Sequence, residues 1–441
     1  MKKGKACIGK RMNSEIDGKL EDIYHLAMKE NECGNREVHV VELLNHYLLV
    51  DQENPDALYH LGRNYIALGR CDLALKPLKK ALDLFPDRHK GDICFVIADL
   101  FEASRQRQEA KRWYQSGIER SETIRISSWI LMGANLARLE EFSSALECYE
   151  NALDAEPDEA HHELRAEARL NMGFVYRAMG DYGEALISFN DAKEMDPWDE
   201  RVQDSIGELH GLEKIWNTLE SLKNLKKENS PDCDNEIKKL LDWIFVQARI
   251  EFEIEDKDVT VIELLRQYLE FRKQDAEAWM IYGQALRIIG RARESLEALQ
   301  VALDLSPEED QHWVCLEIAL LHAFHRSGEE AAMWFDRALS LEKNLAVLWF
   351  EKAENSATLA NCEEALTCYQ NALDLDDGSV KVQNIYYRMG CIWRGLGNYT
   401  QAINGFRKAL LIEPTMLDSK MALQGLDGID ETIKVCRQIS S

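Results

Sequence analysis

The chain has 441 residues, a formal net charge of -25, 46% hydrophobic and 30% charged residues, and eight prolines. An acidic excess of this size argues against a nucleic-acid binder, whose phosphate contacts need clustered Lys and Arg, and an ordinary apolar balance with so few prolines argues against a loop-rich or disordered chain. The length alone suggests about two to four domains, a count that the internal periodicity overrides. The 11 cysteines stand singly, without a C-x-x-C or an even framework, and most are expected to be buried free thiols suited to a reducing compartment. No apolar run reaches signal-peptide or membrane-spanning length, so the expected location is cytoplasmic and no membrane partner is expected.

Residues 1–19, beginning Met1-Lys-Lys-Gly-Lys, form a basic tail. Between 20 and 54, Leu20, Ile23, Leu26 and Ala27 make one helical stripe and Val40, Leu43, Leu44, Tyr47 and Leu48 a second. Residues 55–88 are clearer, with Leu58, Leu61, Gly62 and Tyr65 on a first helix, Gly69 at its end, Ala74, Leu78 and Ala81 on a second, and Pro86 closing. A weaker unit covers 91–125, with Ala98, Phe101, Ala110, Tyr114 and Gly117. Two strong units follow at 126–159 (Trp129, Gly133, Ala145, Tyr149, Ala152) and 166–199 (Met172, Gly173, Gly180, Ala185, Phe189, Ala192). Residues 200–228 then read as one longer capping helix, and 229–234, around Pro231, as a linker.

After the linker the pattern starts again. Val261-Ile-Glu-Leu-Leu-Arg-Gln-Tyr-Leu269 echoes Val40-Val-Glu-Leu-Leu-Asn-His-Tyr-Leu48, and Ala365-Leu-Thr-Cys-Tyr-Gln-Asn-Ala-Leu-Asp374 matches Ala145-Leu-Glu-Cys-Tyr-Glu-Asn-Ala-Leu-Asp154 at eight of ten positions. Units are placed at 235–275, 276–309, 312–345, 346–379 and 383–416, with a capping helix at 417–438. The chain therefore reads as an internal duplication, a first array over 20–228 and a second over 235–441. Each helix pair leaves an apolar face that only the next pair can cover, which is why such units come in arrays.

Apolar residues at positions 4 and 7 of each 34-residue unit, small ones at 8, 20 and 27, a bulky one at 24 and Pro at 32 resemble the tetratricopeptide repeat. The resemblance implies an all-α fold, an α-solenoid of stacked helix-turn-helix repeats in a right-handed superhelix, whose first helices line a concave groove through positions 2, 5, 9, 12 and 13. A two-carboxylate clamp known in that family needs Lys and Asn at positions 5 and 9. Here those places hold Tyr59 and Arg63, or Met280 and Gln284, and that activity is not carried over.

On this frame the first array offers Tyr59, Arg63, Ile130, Leu170, Phe174 and Arg177 to the groove. The second offers Met280, Arg287, Leu316, Leu320, Phe324, Phe350, Tyr387, Arg388 and Arg394. A stripe at helical spacing is equally what a core helix shows, so both placements stay open for these residues. Apolar anchors ringed by Arg suit a protein or peptide partner carrying acidic and hydrophobic residues. The alternative is a self-associating structural protein whose apolar faces pair in a homo-oligomer. No nucleophile with a base, phosphate loop or ligand set stands in the sequence, so neither catalysis nor a cofactor is expected. The pairs His322/His325 and His161/His162 lack nearby Cys or Asp ligands and read as packing or surface histidines rather than metal ligands.

Overall fold

The computed structural model of the chain describes residues 20–121, 124–155, 162–228, 233–253, 258–325 and 327–440. The basic tail, His161, and the linker residues 229–232 fall outside them. The first array runs through α1 (20–32), α2 (Glu37–Tyr47), α3 (Pro55–Ala67), α4 (Cys71–Leu84), α5 (Asp87–Ala103) and α6 (Arg107–Arg120). It continues with α7 (Ile126–Arg138), α8 (Phe142–Asp154), α9 (His162–Met179), α10 (Tyr182–Met195) and α11 (Glu200–Glu228). The second array runs through α12 (Cys233–Glu253), α13 (Asp258–Leu269), α14 (Ala276–Ile288), α15 (Ala292–Leu305), α16 (Gln311–His325) and α17 (Gly328–Leu341). Its remaining helices are α18 (Ala346–Thr358), α19 (Cys362–Leu375), α20 (Val382–Gly395), α21 (Tyr399–Ile412), α22 (Leu417–Gln424) and α23 (Ile429–Ser440). The fold is all-α, and each stretch read as a unit holds two helices.

Helix ends are set by side chains that recur in both halves. Asn54 caps α3 by accepting the Ala57 amide at 3.0 Å, and Asp275 caps α14 by accepting that of Ala278 at the same distance. Among the described residues, seven first helices end in a left-handed residue, which is glycine at Gly69, Gly180, Gly290 and Gly397. Where glycine is missing, Arg105, Glu140 and Ala360 take the same conformation at φ 57°, 59° and 60°, against the steric preference of an L side chain. Ala360→Gly should therefore raise stability by about 0.5 to 1 kcal/mol. A thermal melt that shows no gain would mean that the turn is held for some other reason.

Within each pair, a small residue on one helix receives a large one from the other. A Cβ at Gly390 would lie 2.7 Å from the Phe406 ring, one at Gly133 2.6 Å from Tyr149, and one at Gly283 2.7 Å from Leu299. In the third unit of the first array a further contact of this kind appears, where Gly117 on its second helix receives Phe95 from its first. The match of 91–125 to the common pattern is weakened by its missing closing proline, since Glu122 stands at position 32.

The helices form two compact units. Unit 1 comprises Met1–Glu122 with Lys343–Ser441, and unit 2 comprises Thr123–Glu342, so each takes helices from both arrays. The core of unit 2 runs from Leu170 and Phe189 through Ile206, Leu222, Ile244 and Leu265 to Ile281 and Leu286. In unit 1 one cluster holds Ile23, Ala27, Val40 and Leu44 with Cys436, and another joins Val38 to Phe406, Leu426 and Ile429. The stretch read as a second capping helix is two helices, α22 and α23, broken where Gly428 adopts φ +78°. Gly425 sits so tightly on Asn35 that a Cβ would collide with the Asn35 carbonyl oxygen. The bend and the close approach go together.

Candidate interaction site

In unit 1 a cavity of about 260 Å³ opens where the turn Leu68–Cys71 of the first array meets the first helices of two second-array repeats, α18 and α20. Arg70 Nη1 donates to the Gly395 carbonyl at 3.0 Å and anchors the turn there. The wall opposite carries Glu354, Thr358, Cys362, Tyr369, Arg388 and Cys391. Glu354 accepts from the Tyr369 hydroxyl, and its Oε1 lies 3.1 Å from Arg388 Nε.

Unit 2 has a cavity at the corresponding place, about 170 Å³, where Ile289 and Gly290 of the second array meet α7 and α9. Ala134 stands for Glu354 there, Asn171 for Arg388, Phe142 for Cys362 and Phe174 for Cys391. Two phenyl rings replace two thiols and the unit 2 cavity is the smaller; Arg138 and His325 are among its polar lining, whereas unit 1 has Arg70, Glu354 and Arg388. The duplicated halves have diverged at this position.

The residues expected to line a groove meet different fates. Ile130, Leu170 and Leu316 are buried, at 7%, 1% and 5% exposure. Phe174 is half-buried edge-on to Phe189 at 5.5 Å, and Met280 and Leu320 are also half-buried. Arg177 covers the Phe174 ring and gives its charge to Glu208 at 2.6 Å. Arg287 pairs with Glu317 at 3.2 Å. Both arginines are thus engaged inside unit 2, and of its expected groove residues Phe324 alone is strongly exposed, at 54%.

Unit 1 keeps more of the expected surface. Arg63 is exposed over the Tyr59 ring at 5.7 Å, and Phe350 is half-buried against Tyr369. Tyr387 is half-buried against Phe406, and burial pushes its hydroxyl up to about 12. Arg388 is exposed beside Glu354. Neither Arg63 nor Arg394 has a carboxylate within ion-pair distance among the described residues, although Arg394 occupies the place in its array that Arg177 has in the first. The reason is visible at the partner position, where Glu208 of the first array is replaced by Gly425.

Sequence reasoning missed Glu208, which lies on the capping helix outside the repeat units, and Glu354, which holds position 9 of its unit but is not a residue type expected in an apolar, Arg-ringed groove. Setting the two halves side by side, with Glu354 against Ala134 and Glu208 against Gly425, is the signal that finds them. His322 Nδ1 lies 2.8 Å from Glu330 Oε2 and His325 Nε2 lies 3.1 Å from the Arg287 carbonyl. Among the described residues no three His, Cys, Asp or Glu side chains are placed to hold a metal, and no helix is long and apolar enough to cross a membrane.

Models of the tetratricopeptide repeat match residues 56–88, 125–197, 262–310 and 383–416. The chain is a tetratricopeptide repeat protein. A TPR repeat-containing protein of Methanocaldococcus jannaschii is 22% identical over 434 residues, covering 95% of this chain and 67% of that one. A DnaJ homolog subfamily C member 3 homolog of Dictyostelium discoideum is 23% identical over 208 residues, 44% of this chain and 40% of that one. Among solved structures, yeast Tom70 aligns over 95% of this chain and 91% of its own, with 16% identity and a TM-score of 0.37. The matched segments fall in both arrays of this tetratricopeptide repeat protein, so the repeat signal belongs to each half independently.

Proposed function

We propose that this tetratricopeptide repeat chain is a non-catalytic, cytoplasmic scaffold that holds a partner protein on the inner face of unit 1, through a segment carrying acidic and hydrophobic side chains. The observation that carries the reading is the contrast between arginines. Arg177 and Arg287 are neutralised inside unit 2, whereas Arg63 and Arg394 of unit 1 have no carboxylate partner among the described residues and Arg388 is exposed. In a chain of net charge -25, uncompensated arginines beside Tyr59, Phe350 and Tyr387 favour a segment that supplies carboxylates to forked donors and apolar groups to the rings. The acidic remainder of the surface disfavours binding of the same segment elsewhere.

The test uses a fluorescent peptide of alternating Glu and Phe residues and reads its anisotropy. Arg388→Ala with Arg394→Ala should weaken binding more than tenfold, and added salt should weaken it further, since exposed charges are screened over about 8 Å at physiological ionic strength. The melting temperature should hardly change, because an exposed ion pair such as Arg388 with Glu354 is worth about 1 kcal/mol or less. Arg88→Ala, away from the inner face, should bind like the parent. If the double variant also binds like the parent, the inner face of unit 1 is not the site.

A further inference from the structure

The structure builds one junction twice. In unit 2 the end of the first array meets the start of the second, where α11 packs on α13 and the Tyr182 hydroxyl of α10 donates to Glu263 at 3.1 Å. In unit 1 the end of the second array meets the start of the first, where α23 packs on α2, and the Tyr399 hydroxyl donates to Glu42 at 2.6 Å. Tyr399 and Tyr182 are equivalent residues of the two halves, as are Glu42 and Glu263. The apolar partners repeat as well. Val259, Val261, Leu264 and Leu265 are fully buried at the first junction, and Val38, Val40, Leu43 and Leu44 are at 2% exposure or less at the second.

The two junctions differ in how the chain connects them. At the unit 2 junction, α11 leads into α12 and α13 within a few tens of residues, so the chain holds the two surfaces together. The unit 1 junction joins residues that are almost a whole chain apart. Its bonds run from Asn35 Nδ2 to the Met421 carbonyl at 2.5 Å and from Arg36 Nη1 to the Asp427 carbonyl at 2.6 Å, with His39 Nδ1 against Thr432 Oγ1 at 2.7 Å. Sequence separations of 386, 391 and 393 residues show that no local tether helps it form. An array end therefore recognises an array start by its surface alone.

We propose that this surface also accepts a second copy of the chain, so that residues 343–441 of each copy close on residues 20–121 of the other in a reciprocal dimer. Each junction in the dimer makes the contacts that it makes in the monomer, so the choice between them is set by chain concentration against the effective concentration within one chain. Opening the junction exposes the core around Val40, Leu44 and Cys436, so interconversion is slow and the species formed on folding persists. This inference does not depend on the peptide site.

The test refolds the full chain from guanidinium at concentrations from about 1 µM to about 500 µM, approaching the millimolar scale at which partner chains compete with an intramolecular contact. Light scattering after size exclusion should show monomer at the low end and a dimer fraction that grows with concentration and survives dilution. A mixture of isotopically light and heavy chains is then refolded at the high concentration, and the dimer is crosslinked and digested. Crosslinks between residues 20–121 and 343–441 should join light to heavy peptides. Monomer at every concentration would overturn the proposal, and so would a dimer in which those crosslinks stay within one isotope, since that dimer pairs by some other face. Tyr399→Phe with Glu42→Gln removes a junction bond in monomer and dimer alike. It should leave the dimer fraction unchanged while dimers exchange chains about tenfold faster; an unchanged exchange rate would overturn the assignment of the interface.

Discussion

Replacing Glu208 by Ala should lower the stability of unit 2 by about 3 to 5 kcal/mol, as expected when one member of a buried ion pair is removed. Glu208 is 8% exposed and Arg177 14%, so water offers either charge little as an alternative partner. One carboxylate oxygen takes the Arg177 guanidinium at 2.6 Å, and the other accepts the buried Val259 amide at 2.8 Å. Alanine would strand both a cation and a backbone donor in the core where α9, α11 and α13 meet. Glu208→Leu with Arg177→Met, which removes both charges, should recover much of the loss and leave chiefly the unpaired Val259 amide. Urea titrations of the three proteins measure this order. An alanine variant as stable as the parent would mean that the carboxylate is not structural, and Arg177 would return as a residue available to a partner.

Arg177 also shows where sequence legibility ends. The repeat pattern locates helices, their left-handed turns and the small-against-large contacts, because each of these depends on residues within one 34-residue unit: Gly173 and Phe189 belong to one pair, as do Gly390 and Phe406. Facing the inner side is an expectation drawn from position in the unit. Being available there is not, because it depends on what a distant segment brings to the same place. Glu208 removes Arg177 from the surface, the turn at Leu68–Cys71 fills part of the face of α18 and α20, and Leu316 sinks into the core at 5% exposure. The turn contact joins parts of the chain that the period does not relate, and Glu208 comes from the capping helix, outside the repeat units. Comparing the halves with one another recovers some of them, since Gly425 opposite Glu208 marks the position where one array neutralises its arginine and the other does not.

Two glycines of unit 2 should respond to substitution with opposite signs. Gly173 lies within contact distance of the Phe189 ring, which is completely buried, so a side chain there can be admitted only by moving the ring or the helix. The ring has no free space, since it is also packed by Phe174 at 5.5 Å and by the core that runs on to Ile206 and Leu209. Gly173→Leu should therefore cost about 3 kcal/mol, the upper part of the usual range for overpacking, because neither neighbour can yield cheaply. Gly207 is on the exposed side of α11, with no atom within 4 Å of an added Cβ. Its only effect is to loosen the helix backbone, so Gly207→Ala should stabilise by up to about 1 kcal/mol. The pair separates the two roles of glycine in these repeats, one forced by the approach of a neighbouring helix and the other merely tolerated. Thermal melts decide it. If Gly173→Leu melts with the parent, the position-8 glycine does not set the distance between paired helices, and the packing rule drawn from all five such glycines falls with it.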